Sequence, residues 1–168
     1  MLYQDNLFQG IHDATARASN ESTVAFERPD DTTAYGAGDV VGEVLEFENV
    51  LPKEGKTFII VGAKLRIDLS VVPSGMSSFR LHLYNAAPTA VTDNAEWNLI
   101  EADRSKYAGY ITLLTPVDFG DTLWSQEIDT LLAGKMITGN LYGILVTTGA
   151  FTPVAKTAIS VSIIGMGI

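Results

Sequence analysis

Residues Ile59–Val71, IIVGAKLRIDLSV, carry an apolar side chain at every odd position: Ile59, Val61, Ala63, Leu65, Ile67, Leu69 and Val71. The even positions between them include Gly62, Lys64, Arg66, Asp68 and Ser70. Alternation sustained over this length has the period of 2 that belongs to a strand, not the 3.6 of a helix. One face of such a strand rests on a core and the other meets water, as in an antiparallel sheet. The odd positions are therefore expected to point inward.

Downstream, Pro73-Ser74-Gly75 turns the chain into Phe79–Tyr84, where Phe79, Leu81 and Leu83 alternate with Arg80, His82 and Tyr84. These two strands are expected to pair as a hairpin, with Arg80, His82 and Tyr84 facing out. A long excursion follows, through a Pro-containing loop and the acidic, amide-rich knuckle Thr92-Asp93-Asn94-Ala95-Glu96-Trp97. One short helix is expected over Leu99–Lys106, opened by an Asn98/Glu101 capping box and stopped by Gly109. The chain returns as a strand over Tyr107–Leu114. Such long links between strands belong to Greek-key sandwiches.

Upstream, Thr23–Arg28 reads as the first strand and Ala34–Gly42 as a Gly-punctuated bend. Glu43–Asn49 alternates with Leu45 and Phe47 inward, and Pro52–Lys56 turns the chain. Further strands are expected over Asp121–Ile128, Leu141–Thr148 and Ala158–Ile164. The reading is an all-β, antiparallel β-sandwich, jelly-roll-like, of about eight strands with one short helix and an N-terminal arm. The arm covers 1–22 and the sandwich domain 23–168. In the arm, Tyr3, Leu7, Phe8 and Ile11 are isolated apolar points at a spacing that fits one face of a short helix or an extended segment that packs on a neighbouring subunit.

A chain of 168 residues is long enough to bury its apolar surface as one domain. It has no cysteine, which removes disulfides, thiolate metal sites and thiol nucleophiles together. Twenty acidic against 11 basic residues give a net charge of −9, and the basic residues are scattered, so no nucleic-acid partner is expected. No apolar run approaches the ~20 residues of a membrane span, so no membrane partner is expected either. The N-terminus lacks the basic region and apolar core of a secretory signal.

Catalytic chemistry has little to stand on. The only histidines are His12, in the arm, and His82, mid-strand. No nucleophile elbow, phosphate loop or zinc-binding helix motif is present. Asp93, Asn94 and Glu96 are hard oxygen donors close together, but they lack the spacing of an EF-hand loop, and turn capping accounts for them. Trp97 is the ring best placed to meet a ligand such as a sugar, although large aromatics mostly fill cores. No catalytic, cofactor or metal residues are expected, and no enzyme.

The bend Thr33–Gly42 (TAYGAGDVVG), the block Phe79–Thr89 (FRLHLYNAAPT), Asp93-Asn94-Ala95 and Lys106–Ile111 (KYAGYI) together resemble a group of small virion structural proteins of tailed bacteriophages. The resemblance runs from about Thr23 to Phe151. Its motifs are turns and strand edges, not a chemical signature. It implies a capsid decoration or cement protein, made in the host cytoplasm and placed on the capsid exterior of the virion. The implied partners are the major capsid protein and further copies of the chain, as a dimer or trimer. Partner contacts are expected at Tyr3, Leu7, Phe8 and Ile11 of the arm and at Asp93, Asn94, Glu96 and Trp97 of the knuckle. A tail- or fibre-associated module that recognises host glycan is the alternative.

Overall fold

The computed structural model describes residues 20–50 and 57–167. Among them nine strands form: β1 (Asn20–Glu27), β2 (Leu45–Phe47), β3 (Thr57–Ile67), β4 (Phe79–Tyr84), β5 (Tyr107–Leu113), β6 (Val117–Asp118), β7 (Leu123–Lys135), β8 (Leu141–Thr147) and β9 (Ala158–Gly167). They make a five-stranded sheet, β1-β9-β3-β7-β6, and a four-stranded sheet, β2-β8-β4-β5.

The pairing is nested. β4 pairs with β5, β3 with β7, β2 with β8 and β1 with β9, all antiparallel. The chain is thus one long double strand, closed at the β4–β5 end and rolled up so that β9 also meets β3 and β8 meets β4. That is a jelly roll of eight strands, with the two-residue β6 added at an edge. The excursion of residues 85–106 joins neighbours in one sheet, while the crossings between sheets lie elsewhere.

Three expectations need correction. First, the hairpin of β3 and β4 does not form, because the two strands lie in opposite sheets. A Pro-Ser-Gly turn fixes a reversal but not the partner, and in a sandwich the chain can equally cross to the other layer. Second, β3 does not keep one phase. Phe58 and Ile60 are buried, Ile59 and Val61 are only half-buried, and the odd positions turn inward only from Ala63 onward. The cause is a bulge between Ile60 and Gly62, where Ile60 opposes Leu132 and Gly62 opposes Ile128, leaving Asp129, Thr130 and Leu131 against Val61. Asp129 and Leu131 take left-handed φ values of 62° and 47°, and the Thr130 hydroxyl donates to the Ile60 carbonyl at 2.7 Å. The strand ends at Ile67, so Val71 lies in solvent.

Third, the helix over Leu99–Lys106 shrinks to one 3-10 turn at Glu101–Asp103, whose N-cap is Ile100 with no side-chain cap. Asp103 is committed elsewhere: it accepts from the Thr89 N–H at 2.9 Å and from Lys106 Nζ at 2.9 Å. Burial opposes ionisation of Asp103, but those donors outweigh it and hold the carboxyl below its ordinary range. Gly109 sits inside β5, at φ 124°, where an added Cβ would lie 2.9 Å from Leu132 Cδ1. The first strand also starts at Asn20, earlier than Thr23.

The main core lies between the sheets. Phe47, Phe58, Ile60, Leu65, Phe79, Leu81 and Leu83 are fully enclosed there. Each such side chain contributes roughly 1.5–3 kcal/mol relative to exposure.

Candidate interaction surface

The four-stranded sheet has a second, outer core. On its outward face stand His82 and Tyr84 of β4 with Ile144 and Val146 of β8, and all four are buried. Facing out of the sandwich is therefore not facing water. Two irregular segments roof this face and pair with each other through the backbone. The Val40 N–H donates to the Ala95 carbonyl at 2.8 Å, that of Asn94 to Val40 at 2.9 Å, and that of Trp97 to Gly38 at 3.0 Å. Val91, Trp97, Leu99 and Tyr107 pack on the cluster of Val40, Tyr84, Ile144 and Val146 beneath.

Asp93 locks the roof to the fold. Its Oδ1 accepts from the Tyr35 hydroxyl at 2.6 Å and from the Gly42 N–H at 2.7 Å, while Oδ2 accepts from Arg28 Nη2 at 3.0 Å. Arg28 is only 3% exposed and its Nε–H also donates to the Tyr35 hydroxyl. Burial, then the Asp93 carboxylate, pushes the Tyr35 phenol well above its ordinary value. The place where a cation would meet Asp93 is filled by the Arg28 guanidinium. Among the described residues no three Asp, Glu or His side chains gather to hold a metal ion.

The rest of the knuckle divides in the same way. Asn94 takes a left-handed φ of 64°, which asparagine tolerates, and its side-chain amide reaches Asp39 Oδ2 at 3.1 Å and the Ala34 carbonyl at 3.2 Å. Trp97 is half-buried. Its ring stacks on His82 with centroids 3.7 Å apart, and its Nε1–H donates to the Tyr84 hydroxyl at 3.2 Å. Glu96 alone of the four is exposed. Tyr3, Leu7, Phe8 and Ile11 lie outside the described residues, as does the Pro52–Lys56 turn.

Beside the roof is a cleft of about 280 Å³ lined by Arg80, His82, Glu96, Trp97, Thr147 and Thr148, among others. His82 Nδ1 is 2.9 Å from the Tyr107 hydroxyl. Burial, helped by Arg80, pushes the imidazole down to about 4, and burial with the neighbouring Tyr84 and Tyr110 pushes Tyr107 up to about 12. Neither group titrates near neutral pH, where a general acid or base works best. Among the described residues Glu96 is the single carboxylate lining the cleft. It offers polar contacts, not a proton-transfer pair.

Sequence reading missed Arg28, Tyr35 and one surface. Around β6, Leu114, Val117 and Phe119 are 63%, 58% and 71% exposed. Among the described residues β6 pairs with β7 alone. The available signal was the run Leu113–Phe119 (LLTPVDF), apolar without alternation around a proline. Among the described residues no helix is long and apolar enough to cross a membrane.

No family model matches the chain, and no curated protein matches it. Solved structures resemble it in outline. The capsid of Ralstonia phage GP4 aligns at TM-score 0.42 and 12% identity over 89% of this chain and 84% of that one. Tomato Aspermy Virus aligns at 0.32 and 11% over 98% and 94%. The K3 cleaved adhesin domain of Lys-gingipain from Porphyromonas gingivalis aligns at 0.34 and 8% over 87% and 74%. Likeness at these scores carries no argument about function, and the fold stands on the strand pairing above.

Proposed function

We propose that this chain is a structural virion protein, a capsid decoration or cement protein that sits on the capsid exterior and holds neighbouring major capsid subunits together. The observation that supports the reading is spatial. The blocks that carry the resemblance to tailed-phage virion proteins are neighbours: bend 33–42 pairs with 94–97, both lie over β4, and Tyr107–Ile111 pairs with β4. They form one unit, the roofed sheet, and not a scatter of unrelated turns. The contact is assigned to the exposed residues Leu114, Val117 and Phe119 around β6, since exposed apolar residues on a strand that has one partner among the described residues suit protein contact. Copies act as a dimer or trimer on the symmetric shell. A net charge of −9 keeps the surface away from nucleic acid. The glycan reading is not carried forward, because one face of the Trp97 ring is taken by His82.

The test is binding of the full chain to purified phage shells, with copy number read by mass spectrometry. Saturation at a number tied to the lattice is expected, and Val117→Ser with Phe119→Ser should weaken binding about tenfold or more. Absence of the chain from virions, or unchanged binding of that variant, overturns the assignment.

A further inference from the structure

The roof over the four-stranded sheet buries His82 but leaves Arg80, two residues earlier on β4, exposed. The cleft of about 280 Å³ opens at that margin, lined by Arg80 and its neighbour Val146 from the sheet and by Gly38, Glu96 and Trp97 from the roof. Its walls are fixed by backbone pairing. The Gly38 N–H donates to the Thr147 carbonyl at 2.8 Å, and Glu96 bridges Asp39. Most polar groups around the cleft are already partnered. The Trp97 indole N–H donates to Tyr84, and His82 Nδ1 meets the Tyr107 hydroxyl. The Thr147 hydroxyl donates to the Gly149 carbonyl and that of Thr148 to the Ser78 carbonyl, both at 2.8 Å.

Arg80 and Glu96 differ from these. Among the described residues neither forms an ion pair, with each other or with another side chain. The Arg80 guanidinium stands 5.3 Å from the centroid of the Tyr110 ring, a contact that steadies the cation and leaves its N–H donors unspent. Burial keeps His82 neutral, so Arg80 and Glu96 are the two charges among the described residues that line the cleft. A cation and an anion that share one cleft without closing on each other present a positive and a negative pole. A ligand of one charge would leave one pole unanswered, whereas a ligand with both answers each. At about 280 Å³ the cleft lies just below the ~300–1,000 Å³ that holds drug-sized ligands, so the fit is a small molecule. We propose that this cleft binds a small zwitterion, an amino carboxylate, with its carboxylate on Arg80, its ammonium on Glu96 and its methylene groups against Trp97 and Val146. Arginine suits the carboxylate end because its planar fork donates two parallel bonds. The site goes beyond the virion role and does not rest on it.

The test follows the indole N–H resonance of Trp97 in the full chain carrying Trp124→Phe, which leaves Trp97 as the one indole. Glycine, 4-aminobutyrate and 6-aminohexanoate are titrated at constant ionic strength, so that the series also reads the spacing of the two poles. Acetate and methylammonium serve as single-charge controls. Because both charges stand near solvent, at least one zwitterion is expected to saturate with a Kd of about 1–10 mM, and both controls to bind at least about tenfold more weakly. Arg80→Gln and Glu96→Gln should each weaken that zwitterion about tenfold, with the urea unfolding midpoint unchanged. The single-charge controls need no substitution in the cleft, so they decide the matter even where a variant fails to fold. No saturable shift up to about 50 mM, either control binding as tightly as the zwitterions, or full affinity in either folded variant overturns the proposal.

Discussion

The two outer faces of this sandwich are built on opposite plans. That of the four-stranded sheet carries His82, Tyr84, Ile144 and Val146 under a roof of residues 37–41 and 91–99, pinned by one carboxylate. That of the five-stranded sheet carries Lys64, Arg66, Ser160 and Ser162, with apolar residues at the bulged end and Trp124 and Val117 at the other. Identical alternation along a strand thus leads to burial on one sheet and hydration on the other. What decides is whether a long loop comes back over the face.

The sharpest way to break the contrast is Asp93→Ala. It leaves Arg28, 3% exposed, with only the longer 3.8 Å contact to the exposed Asp31 carboxylate and frees two further donors. A loss of about 3–5 kcal/mol is expected in urea unfolding, because removing one partner strands a buried charge. With Trp124 replaced by Phe so that Trp97 is the one indole, emission should shift to the red as the roof loosens. A loss below about 1 kcal/mol would mean that the roof is held without the hub.

Next in size is Gly143→Ala, on the inner side of the roofed sheet. The new methyl would lie 2.8 Å from Phe47 Cε2 and 3.0 Å from Leu81 Cδ1. Overpacking of about 1–3 kcal/mol is expected without any change in Trp97 emission, which separates the inner core from the roof.

The roof should also make stability depend on pH through His82. Its imidazole is held neutral in the fold, down to about 4, whereas the unfolded chain protonates it near 6.5. Between these values the unfolded state binds more protons, so stability falls as pH drops through this window, with a slope of at most about 1.4 kcal/mol per pH unit. Above 6.5 the contribution is constant. The slope difference between wild type and His82→Asn isolates it, and equal slopes would show that the roof admits water to the imidazole. The smallest effect belongs to the polar part of the five-stranded sheet's outer face: Lys64→Ala, which breaks the pair with Glu21, should change stability by no more than about 0.5 kcal/mol.

Much of the fold was legible because alternation is a local signal. Leu45 and Phe47, Phe79, Leu81 and Leu83, and Ile159, Val161 and Ile163 all point inward as their spacing requires. The limit of that signal is the bulge: Ile59–Val71 alternates without a break, yet the phase switches at Gly62, since Val61 has no counterpart on β9 and faces three residues of β7. Strand partners were not legible either, because a turn such as Pro73-Ser74-Gly75 reverses the chain without choosing a sheet. At the candidate surface, Asp93 was visible as a turn former but not as a hub, because Arg28 and Tyr35 meet it from far along the chain. Arg80, His82 and Tyr84 share one face as expected, but burial of His82 and Tyr84 depends on a loop whose landing site no local pattern encodes. The exposed tip at Leu114, Val117 and Phe119 was passed over for lack of any period.

A cryo-EM map of particles carrying this chain tests the account most directly. The proposal predicts density for the jelly roll on the outside of the shell, with Leu114, Val117 and Phe119 against a major capsid subunit and the Asp93-pinned roof intact. A shell without this chain, or with the tip turned to solvent, would contradict it.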